Sequence, residues 1–289
     1  MIYIEDFFIE FMPERKSIKT PRERYIVYQK DLHQACGEDI TLDTMWEGDQ
    51  YSYVELGDSV LKKPYSQLKL KNIDLTIFAC WTPEFDPDYS AFGPYFMHTY
   101  ELGGSSFDIC DCGSLPDFIS LDVVQKFCMS DKVKKALLLG LEQNTIPRNI
   151  NLHTPIPNNS RSVALIVTSK PSENSKWAVL GSGYIKEKSA FDINPLNFIN
   201  ELQSSFNVEI NYIASQITDI FYKKLVYQLD TERVTNSIDF IYWKQNISGL
   251  HAYSFLAEEY ESVPKDRNIL FVYNDIESLN IGWLLLYKI

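Results

Sequence analysis

The stretch 107–142, FDICDCGSLPDFISLDVVQKFCMSDKVKKALLLGLE, constrains the fold more than any other part of the chain. It reads as a short strand, a tight turn carrying Cys112, a long amphipathic helix and a buried strand ending at Glu142. A cysteine at a strand-to-helix turn has its sulfur near the helix N-terminus, where the partial positive charge and free N–H groups favour a thiolate. That is how a nucleophilic cysteine is built for acyl transfer.

The same alternation runs along the rest of the chain. Residues 3–12 read as a strand closed by Pro13, and 21–49, charged and poorly periodic, as loop with a short helix. A helix over 51–61 precedes IDLTIFAC at 73–80, a continuous apolar run of buried-strand type. The loop WTPEFDPDYS leads to a helix over 92–102, closed by Gly103 and Gly104. Strands are expected at 136–140, 162–168, 177–185, 237–242, 268–273 and 281–288, and helices over 195–206, over 213–229 and after Asn246. Gly181-Ser182-Gly183 falls inside a strand-like run, so it predicts a bulge or turn there. Such β-α alternation predicts mostly parallel sheets covered by helices.

Composition bounds the function. The 289 residues suffice for one large α/β domain or two joined halves, and 45% hydrophobic content fills a core. A net charge of -12 without a basic patch excludes phosphate backbones, so nucleic acid is not an expected partner. The five cysteines (Cys36, Cys80, Cys110, Cys112 and Cys128) form no disulfide framework, and Cys110 and Cys112 are too close for a zinc knuckle. A reducing cytoplasm is therefore expected. MIYIEDFFIEF is apolar but acidic and reads as a strand rather than a signal peptide, and no run reaches membrane-span length.

Each candidate residue has a functional and a structural reading. Cys112 is a nucleophile or a small buried hydrophobe; Cys110 and Cys128 read as structural. Ser114 is an alternative nucleophile or, more simply, a helix N-cap. His251 could serve catalysis or sit in the core. His98 reads as packing, and His33 and His153 fall in loops. Tyr95, Phe96 and Met97 form an apolar helix face. The charged segment 14–24 reads as a solvated surface, or as a contact for an acidic carrier protein. No His, Asp and Glu set has metal-ligand spacing.

In this order the landmarks resemble the thiolase-fold condensing enzymes, most closely the ketoacyl-acyl-carrier-protein synthase III type. IDLTIFACWTP resembles that family's first-half strand and its Thr-rich loop. SFDICDCGSL resembles its FD-x-x-x-x-C nucleophile segment, VKKALLLGLE the strand after the nucleophile helix, and SVALIVTSK the strand after its Gly-Asp-Gly-Ala loop. In the second half, YIASQITDIFYKKL resembles the helix opening with the family's His-Gln. WKQNISGLHAYSFLAEE resembles the Gly-Asn segment, and NILFVYNDIESLNIGWLLLY the terminal glycine-loop hairpin.

The resemblance implies a thiolase-like α/β fold of two similar halves, 1–170 and a shortened 171–289, layered α-β-α-β-α. It also implies a dimer paired through the first half, with acyl-CoA or acyl-carrier protein as donors and no cofactor. Its catalytic set is eroded. Cys112 lies one residue short of the nucleophile spacing from Asp108, whereas counting back from VKKALLLG puts Ser114 there. The His-Gln position reads Ser215-Gln216, and Asn246 fits the family asparagine. The Gly-Asp-Gly-Ala loop becomes Asn159-Ser160-Arg161-Ser162. The terminal glycines become Ile276-Glu277-Ser278, with Gly282 matching the later one. Losing one oxyanion donor costs on the order of 10²–10³ in turnover.

The expectation is therefore a degenerate subunit beside an intact ketosynthase III-like partner, in a fatty-acid, polyketide or secondary-metabolite pathway. The family parallel is the small degenerate subunit of the heterodimeric enzyme that makes alkylquinolones. In it Tyr95, Phe96 and Met97 complete the partner's acyl pocket, and Cys112 and Asn246 are vestigial. The alternative is a divergent acyltransferase or thioesterase using Cys112, with Asn246 and His251 in support. A third reading is a non-catalytic module that binds acyl groups or carrier protein.

Overall fold

A computed structural model describes residues 1–15, 22–110, 112–151, 156–186, 193–216, 220–232, 238–243, 249–275 and 280–289. The strands are β1 (Ile2–Phe11), β2 (Leu75–Cys80), β3 (Ser105–Ile109), β4 (Lys135–Glu142), β5 (Arg161–Thr168), β6 (Trp177–Ile185), β7 (Tyr212–Ser215), β8 (Asp239–Tyr242), β9 (Asn268–Asn274) and β10 (Ile281–Lys288). The helices are α1 (Glu23–Ala35), α2 (Tyr53–Ser66), α3 (Phe92–Thr99), α4 (Pro116–Met129), α5 (Pro195–Phe206), α6 (Ile220–Glu232) and α7 (His251–Glu258).

The ten strands form one sheet in the order β3-β2-β4-β5-β1-β6-β10-β9-β7-β8. Read inward from either edge, the pairing is the same. In the first five strands β3, β2 and β4 are parallel, while β5 is antiparallel to both β4 and β1. In the second five β8, β7 and β9 are parallel, and β10 is antiparallel to both β9 and β6. An antiparallel pairing of β1 with β6 joins the two sets, Ile2 lying opposite Val179.

Three apolar clusters build the layers. The outer face of the first five strands buries Leu56, Val60 and Leu61 of α2 and Phe92 and Phe96 of α3. The outer face of the second five buries Ile199 and Leu202 of α5 and Phe221 and Leu225 of α6. Between them lies the central core, with Phe118, Leu121 and Val124 of α4 beside Ala252, Tyr253, Phe255 and Leu256 of α7. Helix α4 packs on β2, β3 and β4 and also on β6 and β10, whereas α7 packs on β1 and β5. The result is the α-β-α-β-α arrangement of the thiolase fold, with α4 and α7 as the enclosed pair.

Local sequence explains the departures from expectation. Residues 213–229 are not one helix: YIAS forms β7 between β8 and β9, and α6 begins at Ile220. Four residues, three of them buried, are too few to show a period of two. Residues 23–35 form a full helix that buries only Tyr25 and Gln29, four apart, so no broad apolar stripe marks it in the sequence. His33 is consequently in the last turn of α1 rather than in a loop. On β1 a register shift between Ile4 and Asp6 brings Ile2, Ile4, Phe7 and Ile9 to the same core. The expected bulge near Gly181 is present: Leu285 pairs with Gly181 and Leu286 with Val179, skipping Leu180. Among the described residues, no helix is long and apolar enough to cross a membrane.

Candidate functional site

The site lies where the starts of α4 and α7 meet. After β3 the chain turns through Gly113, whose φ of 60 favours glycine. Cys112 is half-buried, and its Sγ donates to the Cys110 carbonyl at 3.1 Å. Ser114 has different partners. It is buried, and its Oγ donates to Asp275 Oδ1 at 2.7 Å and lies 3.3 Å from Tyr273 Oη. Ser114 is thus not the helix cap that its position suggests. Leu115 takes the cap position, without a side-chain cap bond, and the serine hydroxyl is spent on the end of β9.

The start of α7 is secured by residues of the first half. Leu250 at its cap position has no capping side chain. Asp117, in the first turn of α4, supplies the acceptor instead, taking the N–H groups of Ala252 at 2.5 Å and Tyr253 at 3.4 Å as well as that of Phe118. Its complete burial pushes the Asp117 carboxyl up to about 7, against the pull of those donors. Glu142 Oε1 accepts the Gly249 N–H at 2.7 Å and Oε2 accepts Arg161 Nε at 2.7 Å. Arg161 Nη2 reaches the Leu250 carbonyl at 3.4 Å.

His251 itself is fully buried and stacks on the Tyr273 ring, centroids 3.5 Å apart. Neither ring nitrogen has a hydrogen-bond partner among the described residues. Burial, and then the Arg161 charge, hold the imidazole well below the usual histidine range, so it is neutral. Two glycines permit the helices to sit this close. A Cβ on Gly140 would meet Leu250 Cδ2 at 2.5 Å, and one on Gly282 would meet the Phe118 ring at 2.7 Å. The structure therefore gathers Ser114, His251, Tyr273 and Asp275 into one cluster, while the Cys112 thiol bonds the Cys110 carbonyl. Tyr273 and Asp275 lie in the segment that resembles the terminal hairpin, but neither is singled out from the sequence. The available signal was a run of apolar strand residues, NILFVYND, ending on a carboxylate, as KALLLGLE does.

The other candidates disperse. Asn246, His153, Lys16, Lys19 and the 276–278 segment lie outside the described residues. Ser215 is buried at the end of β7. The 159–162 segment is the start of β5: Ser160 bonds Asp49 at 2.6 Å, Arg161 bonds Glu142, and Ser162 bonds the Leu56 carbonyl at 2.8 Å. Tyr95, Phe96 and Met97 do not share a face, since consecutive helical residues lie about 100° apart. Phe96 is fully buried against Phe78 and Phe92, Met97 is part-buried beside it, and Tyr95 is exposed with its hydroxyl on Asp58. His98 is exposed. Arg15 pairs with Glu55, and Arg22 and Arg24 pair with Asp88, so these cations of the 14–24 segment are engaged within the chain.

Cys128 is buried as expected, but Cys110 is exposed. It borders a recess of about 170 Å³ together with Glu84 and Asp108. Glu84 is buried, which raises its carboxyl to about 7 although Tyr53 N–H, Gln143 and Asp86 N–H all donate to it. Among the described residues no group of His, Cys, Asp and Glu could hold a metal ion.

The chain matches no protein-family model and no curated protein sequence. Solved structures do match over its whole length. The tetronic acid condensing enzyme AbyA1 is 9% identical with a TM-score of 0.65, each chain covered completely. The 3-oxoacyl-[acyl-carrier-protein] synthase III of Aquifex aeolicus is 17% identical with a TM-score of 0.60, again over all of both chains. The acyltransferase ChlB3 is 11% identical with a TM-score of 0.66, covering 100% of this chain and 98% of its own. With its five layers and enclosed helix pair, the chain has the thiolase fold of the ketoacyl synthase III-like condensing enzymes.

Proposed function

We propose that this chain is a ketoacyl synthase III-like subunit that supports acyl-chain condensation in a fatty-acid, polyketide or secondary-metabolite pathway. It is catalytically degenerate and pairs with an active ketosynthase. Residues 1–170 and 171–289 serve as its two thiolase-like halves, in the cytoplasm, with acyl-CoA or acyl-carrier protein as the pair's substrates. The observation that carries this reading is Ser114, buried where the nucleophile helix begins and donating its proton to Asp275. A serine needs a positioned base to attack a thioester. A carboxylate is a weak base, and the stacked imidazole of His251 makes no hydrogen bond to that hydroxyl. In this reading Cys112 and Asn246 are vestigial, and Tyr95 is the exposed member of its trio that can meet a partner. The test is turnover of acyl substrates by the chain alone and with a ketosynthase III-like partner. Activity only in the pair is expected; a stable homodimer that turns over acyl substrates unaided overturns the reading.

A second reading has one observation in its favour. Cys112 is half-buried rather than enclosed, so a donor can approach its Sγ. The chain would then be a divergent acyltransferase or thioesterase. Unchanged activity in Cys112→Ala dismisses it.

A further inference from the structure

Among the described residues, an ion pair is fully buried in the interior. Glu142 and Arg161 face each other across the β4–β5 ladder, with side chains 0% and 1% exposed. Dehydrating two charges is costly and is repaid only by good geometry and additional hydrogen bonds. Bonds from the pair tie it to the start of α7. Among the described residues they include Gly249 N–H and the Leu250 carbonyl, the two residues immediately before His251. The Leu250 side chain meanwhile fills the slot over Gly140. An apolar pair at 142 and 161 would fill the same volume but leave the buried Gly249 N–H without an acceptor.

We propose that the Glu142–Arg161 pair is a positioning element of the candidate site: it holds the first turn of α7, and His251 with it, against the turn that carries Ser114. The proposal rests on this geometry and is independent of the condensing-enzyme reading. Asp117 from α4 shares the task by capping Ala252 and Tyr253, and Glu258 lies 3.9 Å from the outer side of the guanidinium. Among the described residues, the titratable and charged groups around this turn are thus Arg161 from β5, Glu142 from β4, Asp117 from α4, Tyr273 from β9, and Tyr253 and Glu258 within α7.

The test is the double variant Glu142→Leu/Arg161→Met, which removes both charges together at similar volume. Amide exchange of residues 249–253 is read against amides of the β1–β5 ladder, and the His251 ring is followed by NMR from pH 5 to 8. The expected result is a ladder as protected as in the parent, residues 249–253 exchanging about tenfold faster or more, and a His251 ring that begins to titrate. Unchanged relative protection with a silent His251 ring overturns the proposal. Should the double variant fail to fold, Arg161→Lys decides. It keeps the charge opposite Glu142 but loses the fork that reaches Leu250. Several-fold faster exchange at 250–252 is expected, and exchange equal to the parent overturns the proposal.

Discussion

The turns that open α4 and α7 hold matching places in the repeated topology, yet different chemistry secures them. At α4 a neutral hydroxyl, Ser114, meets a carboxylate at the end of β9. At α7 a backbone N–H meets a carboxylate at the end of β4, and a buried arginine, a second carboxylate and a neutral imidazole crowd around it. In both, the end of a strand in one half grips the helix start of the other half. The difference is how much charge is buried to do so. The α7 start is held by groups that are costly to leave unpaired, whereas among the described residues the α4 start is tied to β9 through the neutral Ser114 hydroxyl. Mutations at the two places should therefore separate widely in cost.

The largest effect is expected for Arg161→Met alone, which leaves Glu142 charged and unpaired. A loss of about 3–5 kcal/mol in urea unfolding is expected. The double variant Glu142→Leu/Arg161→Met should lose much less. Equal losses would show that the pair is not coupled and would break the contrast.

The slots that let the helices approach come next. Gly140→Ala and Gly282→Ala each overpack the contact with Leu250 or Phe118 and should cost about 1–3 kcal/mol. A neutral result at both would mean that the helices can move apart freely.

The response to pH sharpens the picture. Asp117 and Glu84 both have carboxyls raised to about 7, so their contribution is fully present below their unfolded values and is lost as pH rises through about 7. His251 acts in the opposite sense. Held neutral, it costs stability as pH falls below the ordinary histidine value of about 6.5. Asp117→Asn should therefore flatten the decline that runs from about pH 4 up to about 7, while costing about 1 kcal/mol through the weakened α7 cap. An unchanged urea midpoint profile would remove Asp117 from the account. The smallest effect is expected for Ser114→Ala, about 1 kcal/mol, and a loss as large as that of Arg161→Met would erase the distinction between the two turns.

The fold was legible in the sequence because its central strands are continuous apolar runs that need no partner to be recognised, as in IDLTIFAC and KALLLGLE. Legibility failed where an element was too short for its period to show, as in β7, or too polar, as in α1. The site was legible only in part. Ser114 and His251 stand in recognisable segments, but Asp275 lies 161 residues from Ser114, and Gly249 lies 107 from Glu142. Only the folded sheet brings such residues together. The same distance misassigned Ser114 as a cap, since its hydrogen-bond partner is absent from its own neighbourhood. The trio at 95–97 was read as one face, although helical geometry assigns its members to different sides.

The central claim is that no side chain at the nucleophile turn accepts an acyl group in the isolated chain. Intact-protein mass measured after incubation with a panel of acyl-CoAs tests it most directly, with Cys112→Ala and Ser114→Ala run alongside. The account predicts an unmodified mass with every donor. An acyl adduct on the parent that disappears in either variant would contradict it and make the chain an acyltransferase in its own right.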